Sequence, residues 1–170
     1  MVKTPFCTFD LKTGVPCPKC QALIDEGRYS ALDFEVARAL LKIEEGGLVR
    51  LREVEFERCL EAGDVLIVVL RGVQIRDRPF IHRLEVELGK EMGNRFRRVK
   101  IVERPANLKE FISQLVYPAR VTSVNIYWYP DGSSEYTVGV SRGRLPLPKD
   151  LIEKVAKKLV GKDVKIVISR

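Results

Sequence analysis

Hydrophobic residues fall along this chain in two alternating periods, and the order of those periods is repeated. Residues 1–29 show little periodicity and read as a loop or knuckle. Leu32, Val36, Ala39, Leu40 and Ile43 then recur at helical spacing. Ser30 is the expected N-cap of that helix, with Asp33 three residues on as an imperfect capping box, and Gly46-Gly47 closes it. Over 49–56 the pattern alternates, with Val49, Leu51, Glu53 and Glu55 on one face and Val54 and Phe56 on the other, which predicts a strand. A turn at Ala62-Gly63-Asp64 separates it from the unbroken apolar run 65–70, whose β-branched residues predict a buried strand. An irregular basic stretch, 71–79, follows. Phe80, Ile81, Leu84 and Leu88 predict a helix closed by Gly89 or Gly93, and 96–102 predicts a further strand.

The remainder runs through the same order. A helix is predicted over 108–115 and a strand over 121–129, where Val124, Ile126 and Trp128 alternate with Asn125, Tyr127 and Tyr129. Pro130-Asp131-Gly132-Ser133 is a strong turn signal. A strand over 136–140, a basic loop Arg142-Gly143-Arg144-Leu145-Pro146, a helix over 151–159 closed by Gly161 and a strand over 164–168 complete the series. The pattern indicates an internal duplication of about 65–70 residues, carried by element order and not by sequence identity. The fold class is α/β (α+β): a cysteine-bearing segment 1–29, a first module 30–104 and a second module 105–170, each a three-stranded sheet packed with helices. Each module has a basic loop between its second strand and the helix that follows. Alternation places Trp128 opposite its two neighbours and so in the core. Tyr127 and Tyr129 are left for an exposed face, where rings can stack on bases, or for the junction of the modules.

Composition and charge narrow the function. Hydrophobic residues make up 45% and charged residues 31%, the balance of a folded, soluble protein. No apolar run approaches the roughly 18–20 residues of a membrane span. Cys7, Asp10 and Lys12 stand where a secretion signal needs an apolar stretch. A cytoplasmic monomer without membrane contact is the expectation. The net charge of +7 is unevenly spread. Residues 1–70 hold 9 Lys/Arg against 12 Asp/Glu, residues 71–104 hold 10 against 5, and residues 105–170 hold 11 against 6. Basic charge gathered in two stretches suits a polyanion, because each phosphate contact releases a counterion. Asn and Gln are scarce beside Lys, Arg and Glu, the composition of a heat-adapted (thermophile) protein.

The element order resembles that of a type II KH domain, an outer helix and strand followed by strand, helix, loop, helix and strand. Two such units in tandem, behind Lys12-Thr13-Gly14-Val15-Pro16-Cys17-Pro18-Lys19-Cys20, resemble the archaeal NusA-like transcription factors. Tyr117-Pro118-Ala119-Arg120-Val121 and Tyr129-Pro130-Asp131-Gly132-Ser133-Ser134-Glu135-Tyr136 carry the same resemblance. It implies an RNA-binding factor of transcription elongation and termination, with no catalytic activity, that holds single-stranded nascent RNA beside RNA polymerase. The chain departs from the family in its loops. KH domains clamp the nucleic-acid backbone with a GxxG loop. The equivalent positions here are Ile75-Arg76-Asp77-Arg78 and Gly143-Arg144-Leu145-Pro146. Without the glycines, contact passes from peptide N–H groups to guanidinium–phosphate pairs. Arg71, Arg76 and Arg78 are the candidates in the first module, and Arg142 and Arg144 in the second. Arg95, Arg97 and Arg98 extend the first basic face. The competing reading is a solvated surface, with Asp77 and Glu85 pairing some of these arginines and Arg95, Arg97 and Arg98 merely discouraging edge aggregation. A ribosome-associated or RNA-processing factor, or a protein adaptor with degenerate KH modules, are the alternative functions.

The cysteines suggest a metal. Cys17 and Cys20 form a CPKC half-site, in which two thiolates two residues apart can face one ion. Cys7 adds a third thiolate, and Asp10 stands where a second CxxC would put its last cysteine. Cys7, Asp10, Cys17 and Cys20 are therefore candidate ligands of one structural zinc. A disulfide is the rival, and a redox CxxC lacks its βαβ context. Cys59 reads as a small buried hydrophobe, with a reserve role as fourth ligand if Asp10 fails. The single histidine, His82, lies on a predicted helix, and no Walker loop, GxSxG or HExxH motif is present.

Overall fold

The computed structural model describes residues 1–169 and divides the chain into two compact units, Met1–Arg104 and Pro105–Arg170, with Arg170 itself outside the described residues. In the first unit, α1 (Thr8–Thr13), α2 (Pro18–Asp25) and α3 (Ala31–Glu45) precede a short 3-10 helix, Val49–Glu53. β1 (Glu55–Ala62), β2 (Val65–Arg71), α4 (Arg78–Glu91) and β3 (Arg98–Glu103) follow. The sheet order is β1-β2-β3, with β1 antiparallel and β3 parallel to the central strand. Leu66, Val68 and Leu70 of β2, with Ile101 of β3, pack against Val36 and Leu40 of α3 and Leu84 and Leu88 of α4.

Residues 1–29 are more ordered than their weak periodicity predicts. They form two short helices, and Val2, Phe6, Leu11 and Cys20 enter the core of the first unit. The Phe6 ring meets Tyr29 and Phe34 edge-on, with centroids 5.5 and 5.2 Å away. Lys3 pairs with the outer edge of β1: its N–H donates to Val54 O at 2.9 Å and its carbonyl accepts from Phe56 N–H at 2.7 Å. The expected strand over 49–56 begins only at Glu55. Leu48, Leu51 and Val54 are all buried and recur every third residue, the period of a 3-10 helix, which the alternation at 49, 51, 53 and 55 obscures. The capping box is complete. Asp33 N–H donates to Ser30 Oγ at 3.1 Å, and Asp33 Oδ2 accepts from Ser30 N–H at 2.7 Å. Its other oxygen accepts from Cys59 N–H at 2.7 Å, tying the start of α3 to β1.

The second unit contains α5 (Leu108–Val116), β4 (Val121–Trp128), β5 (Ser134–Val140), α6 (Lys149–Val160) and β6 (Val164–Ile168). Its sheet repeats the first: order β4-β5-β6, antiparallel then parallel. Phe111, Ile112 and Leu115 of α5 and Ile152, Val155 and Ala156 of α6 are buried, with Val138, Val140 and Ile166 of the sheet.

The repetition extends to single hydrogen bonds. Val68 pairs with Ile101 and Val138 with Ile166, so these rows correspond. Ile101 N–H donates to Glu85 Oε1 of α4 at 3.0 Å, and Ile166 N–H donates to Glu153 Oε1 of α6 at 3.0 Å. Three residues on, Arg104 N–H donates to Leu70 O and Ser169 N–H to Val140 O. Each third strand is an edge, and in both units a helix carboxylate satisfies one of its outward N–H groups. Burial raises the Glu85 pKa, and burial lowers that of neighbouring Lys100; each offsets part of the other's shift. One helix connects the second and third strands of each unit. The expected type II KH order has two helices there; in each unit a loop, 72–77 or 141–148, precedes the single helix instead.

Candidate nucleic-acid interface and cysteine cluster

The loop after β2 is shorter than the basic stretch 71–79 suggests. Arg71 is the last residue of β2 and Arg78 the first of α4, so neither lies in the loop. Gly72 opens it with φ +81°, and a Cβ there would sit 2.8 Å from Glu53 O. Val73 is buried and Ile75 packs on the core. Asp77 caps α4, accepting from Phe80 N–H at 3.3 Å and from Arg50 Nη1 at 2.6 Å. The Arg50 hydrogen bond first, and the Phe80 N–H second, hold the Asp77 carboxyl below its ordinary range. Arg50 also lies 4.3 Å over the Phe80 ring. Asp77 is thus a helix cap and an ion-pair partner. Arg76 stands exposed in this loop.

Most of the other arginines in the first unit face carboxylates. Arg71 reaches Glu57 at 3.0 Å and Glu55 at 3.9 Å, and Arg104 meets the same Glu57 oxygen at 3.0 Å. Arg95 pairs with Glu35 at 3.4 Å and lies over the Phe96 ring. Arg97 pairs with Asp64 at 3.1 Å. Arg98 begins β3 with its side chain exposed, while Arg78 is half-buried. These pairs sit at the surface, where each contributes at most about 1 kcal/mol.

The loop after β5 differs. Arg142 and Arg144 are exposed, and among the described residues no carboxylate lies within ion-pair distance of either. Gly143 between them has φ +145°, a conformation L side chains rarely adopt, and open space where a Cβ would stand. Leu145 is half-buried and Leu147 buried, anchoring the loop to the second unit. The two basic loops occupy the same position in the two chain topologies, between the second strand and the helix that follows.

Cys7, Asp10, Cys17 and Cys20 converge. Cys7 and Cys17 are the residues preceding α1 and α2, Asp10 lies in α1 and Cys20 in the first turn of α2. One ligand atom from each lies within 4.8 Å of all the others, so the group can hold a metal ion. Zinc–sulfur bonds of about 2.3 Å set tetrahedral edges of roughly 3.8 Å, so modest contraction suffices. Asp10 and Cys20 are buried, whereas Cys7 is exposed. Cys17 N–H donates to Asp10 Oδ2 at 2.9 Å and Cys7 N–H to Cys20 Sγ at 3.3 Å, both favouring anionic acceptors. The Cys17 and Cys20 thiols and the Cys17 N–H hold the Asp10 carboxyl below its ordinary range. Burial, with the Asp10 carboxylate beside it, pushes the Cys20 thiol up to about 12. Gly14 ends α1 with φ +80°, and the Arg38 guanidinium of α3 fills the space where its Cβ would go. Cys59 lies on β1, outside this group; burial first, and Asp33 second, push its thiol up.

No protein-family model matches the chain, and no curated protein matches it. Among solved structures, the crystal structure of APE1850 is similar at a TM-score of 0.56 and 20% identity, over 82% of this chain and 99% of that one. At that identity the likeness concerns the fold.

Several residues of these sites are invisible to motif reasoning. The paired carboxylates Glu55, Glu57, Glu35 and Asp64 are distant in sequence from the arginines they meet. Glu85 and Glu153 do carry a faint signal, since each follows a fully buried apolar residue, Leu84 or Ile152, on the helix before the last strand. Trp128, expected in the core, is 73% exposed, which corrects that expectation. Among the described residues no helix is long and apolar enough to cross a membrane.

Proposed function

We propose that this chain is an RNA-binding factor of the NusA-like kind, in which two KH-like units present basic loops to single-stranded RNA beside RNA polymerase. The observation that carries the reading is the exposed Arg142-Gly143-Arg144 loop, placed in its unit where Arg76 stands in the first. A glycine between two guanidinium groups that meet no carboxylate among the described residues leaves both open to a phosphate backbone. Arg76 makes the corresponding contact in the first unit. The net positive charge of 71–170 supplies the long-range attraction. Cys7, Asp10, Cys17 and Cys20 hold one structural zinc that fixes α1 and α2 on the first unit. Zinc fits because three thiols and a carboxylate, two of them buried, converge from a segment with little core of its own.

The test is a salt titration of binding to single-stranded RNA. Affinity is expected to fall steeply with salt, and Arg142→Ala with Arg144→Ala to lower the log–log slope by about 0.7 for each lost phosphate contact. A protein adaptor is the second reading, favoured by the ion pairs that occupy Arg71, Arg95 and Arg97. Absence of RNA binding at low salt selects it.

A further inference from the structure

The aromatic tip of the second unit has no role in the loops described above. Val124, Val138 and Ile166 form one row across the sheet on the face that α5 and α6 cover. Strand alternation puts Ile126 and Trp128 on that same face. Ile126 pairs with Tyr136 and Trp128 with Ser134. The helices do not reach this far: Val124 is half-buried, Ile126 is 45% exposed and Trp128 73%. Lys162 Nζ lies 5.8 Å from the centroid of the Tyr136 ring. An indole, an aliphatic side chain and a phenol ring with an ammonium over it thus lie together at the open end of the sheet. Tyr127 and Tyr129 point to the other face, where the Tyr129 hydroxyl donates to Glu135 at 3.0 Å.

What such a surface takes is decided by charge. The second unit carries 11 Lys/Arg against 6 Asp/Glu. Of the carboxylates around the tip, Asp163 is neutralised by Lys157 at 3.1 Å, while Asp131 is held by Ser133 and Glu135 is held by Tyr129 on the opposite face. A flat, uncharged, exposed ring system with one ammonium beside it, on a unit of net positive charge, complements a ligand with planar apolar faces on an anionic backbone. We propose that Trp128, flanked by Ile126 and Tyr136 and with Lys162 alongside, is a stacking platform for the bases of single-stranded RNA. It is a contact separate from the basic loops, and it rests on the RNA-binding reading above.

Trp128 is the only tryptophan in the chain, so its fluorescence reports this position alone. The full chain is titrated with a short labelled oligouridylate while anisotropy follows binding and indole emission follows stacking. Quenching in step with the anisotropy change is expected. Trp128→Ala is expected to weaken binding about 5- to 150-fold, the range for loss of one base–aromatic stack, and Trp128→Phe to recover most of it. An abasic oligonucleotide is expected to bind through its phosphates without quenching. Binding with unchanged emission and an unaffected Trp128→Ala variant overturns the platform and leaves the loop contacts standing. Emission that shifts with protein concentration but not with RNA places a second copy on this face, and also overturns it. Absence of any RNA binding at low salt overturns the platform together with the reading beneath it.

Discussion

Asp10 and Asp77 show how one residue type is put to different uses by its neighbours. Asp10 completes the cysteine group, and its backbone partner, the Cys17 N–H, is the amide of another member of that group. Cys20→Ala is expected to abolish stoichiometric zinc in elemental analysis and to lower the thermal midpoint. Asp10→Cys, which restores a second CxxC, is expected to retain it. Zinc-free wild-type protein with an unchanged midpoint after chelation would argue against the site. Asp77, at a position equivalent to the KH loop, serves Arg50 and the N-terminus of α4. Its folded pKa lies below its ordinary value, so its ionised form stabilises the fold above the unfolded pKa, and that contribution is lost as pH falls through the folded value. The stability gap between wild type and Asp77→Asn is therefore expected to close between neutral and acid pH, measured by urea unfolding. A gap that widens on acidification contradicts the assignment.

The helices and strands follow their local signals where those signals are unopposed. Helix α3 has a cap, an apolar stripe and a glycine stop, and it forms where all three predict it. Asp33 adds what the stripe cannot encode, a hydrogen bond to Cys59 of β1. Asp33→Ala removes the capping box and leaves the Cys59 N–H without its acceptor. A loss of about 2–4 kcal/mol is expected in chemical unfolding, more than a helix cap alone supplies. A loss below about 1 kcal/mol would mean that the tie to β1 contributes nothing. The residues 49–54 failed to form the expected strand because a period of three and a period of two both fit a short run, and burial of Leu48, Leu51 and Val54 chose the first. In β4, alternation gave the face of Trp128 correctly but not its burial, because burial depends on how far α5 and α6 extend over the strand.

Across the chain, the two units repeat a sheet order, a parallel third strand and a helix carboxylate that caps it, although the sequence announces only the order of elements. Within that repetition the basic loops differ: the first is bordered by ion-paired arginines, and the second carries two with no carboxylate in ion-pair distance among the described residues. In the salt titration proposed above, Arg76→Ala is accordingly expected to change the slope by about half as much as the Arg142→Ala, Arg144→Ala pair. The amino-acid sequence alone was enough for the order of the longer helices and strands from α3 onward, the buried strand over 65–70, the basic loops and the grouping of Cys7, Asp10, Cys17 and Cys20, because periodicity and close spacing are local properties. Folding alone determined which arginines meet carboxylates, which glutamates cap the third strands, how residues 1–29 join the core and how far Trp128 projects into solvent. Those outcomes depend on distances between residues far apart in the chain, and a linear pattern carries no measure of them.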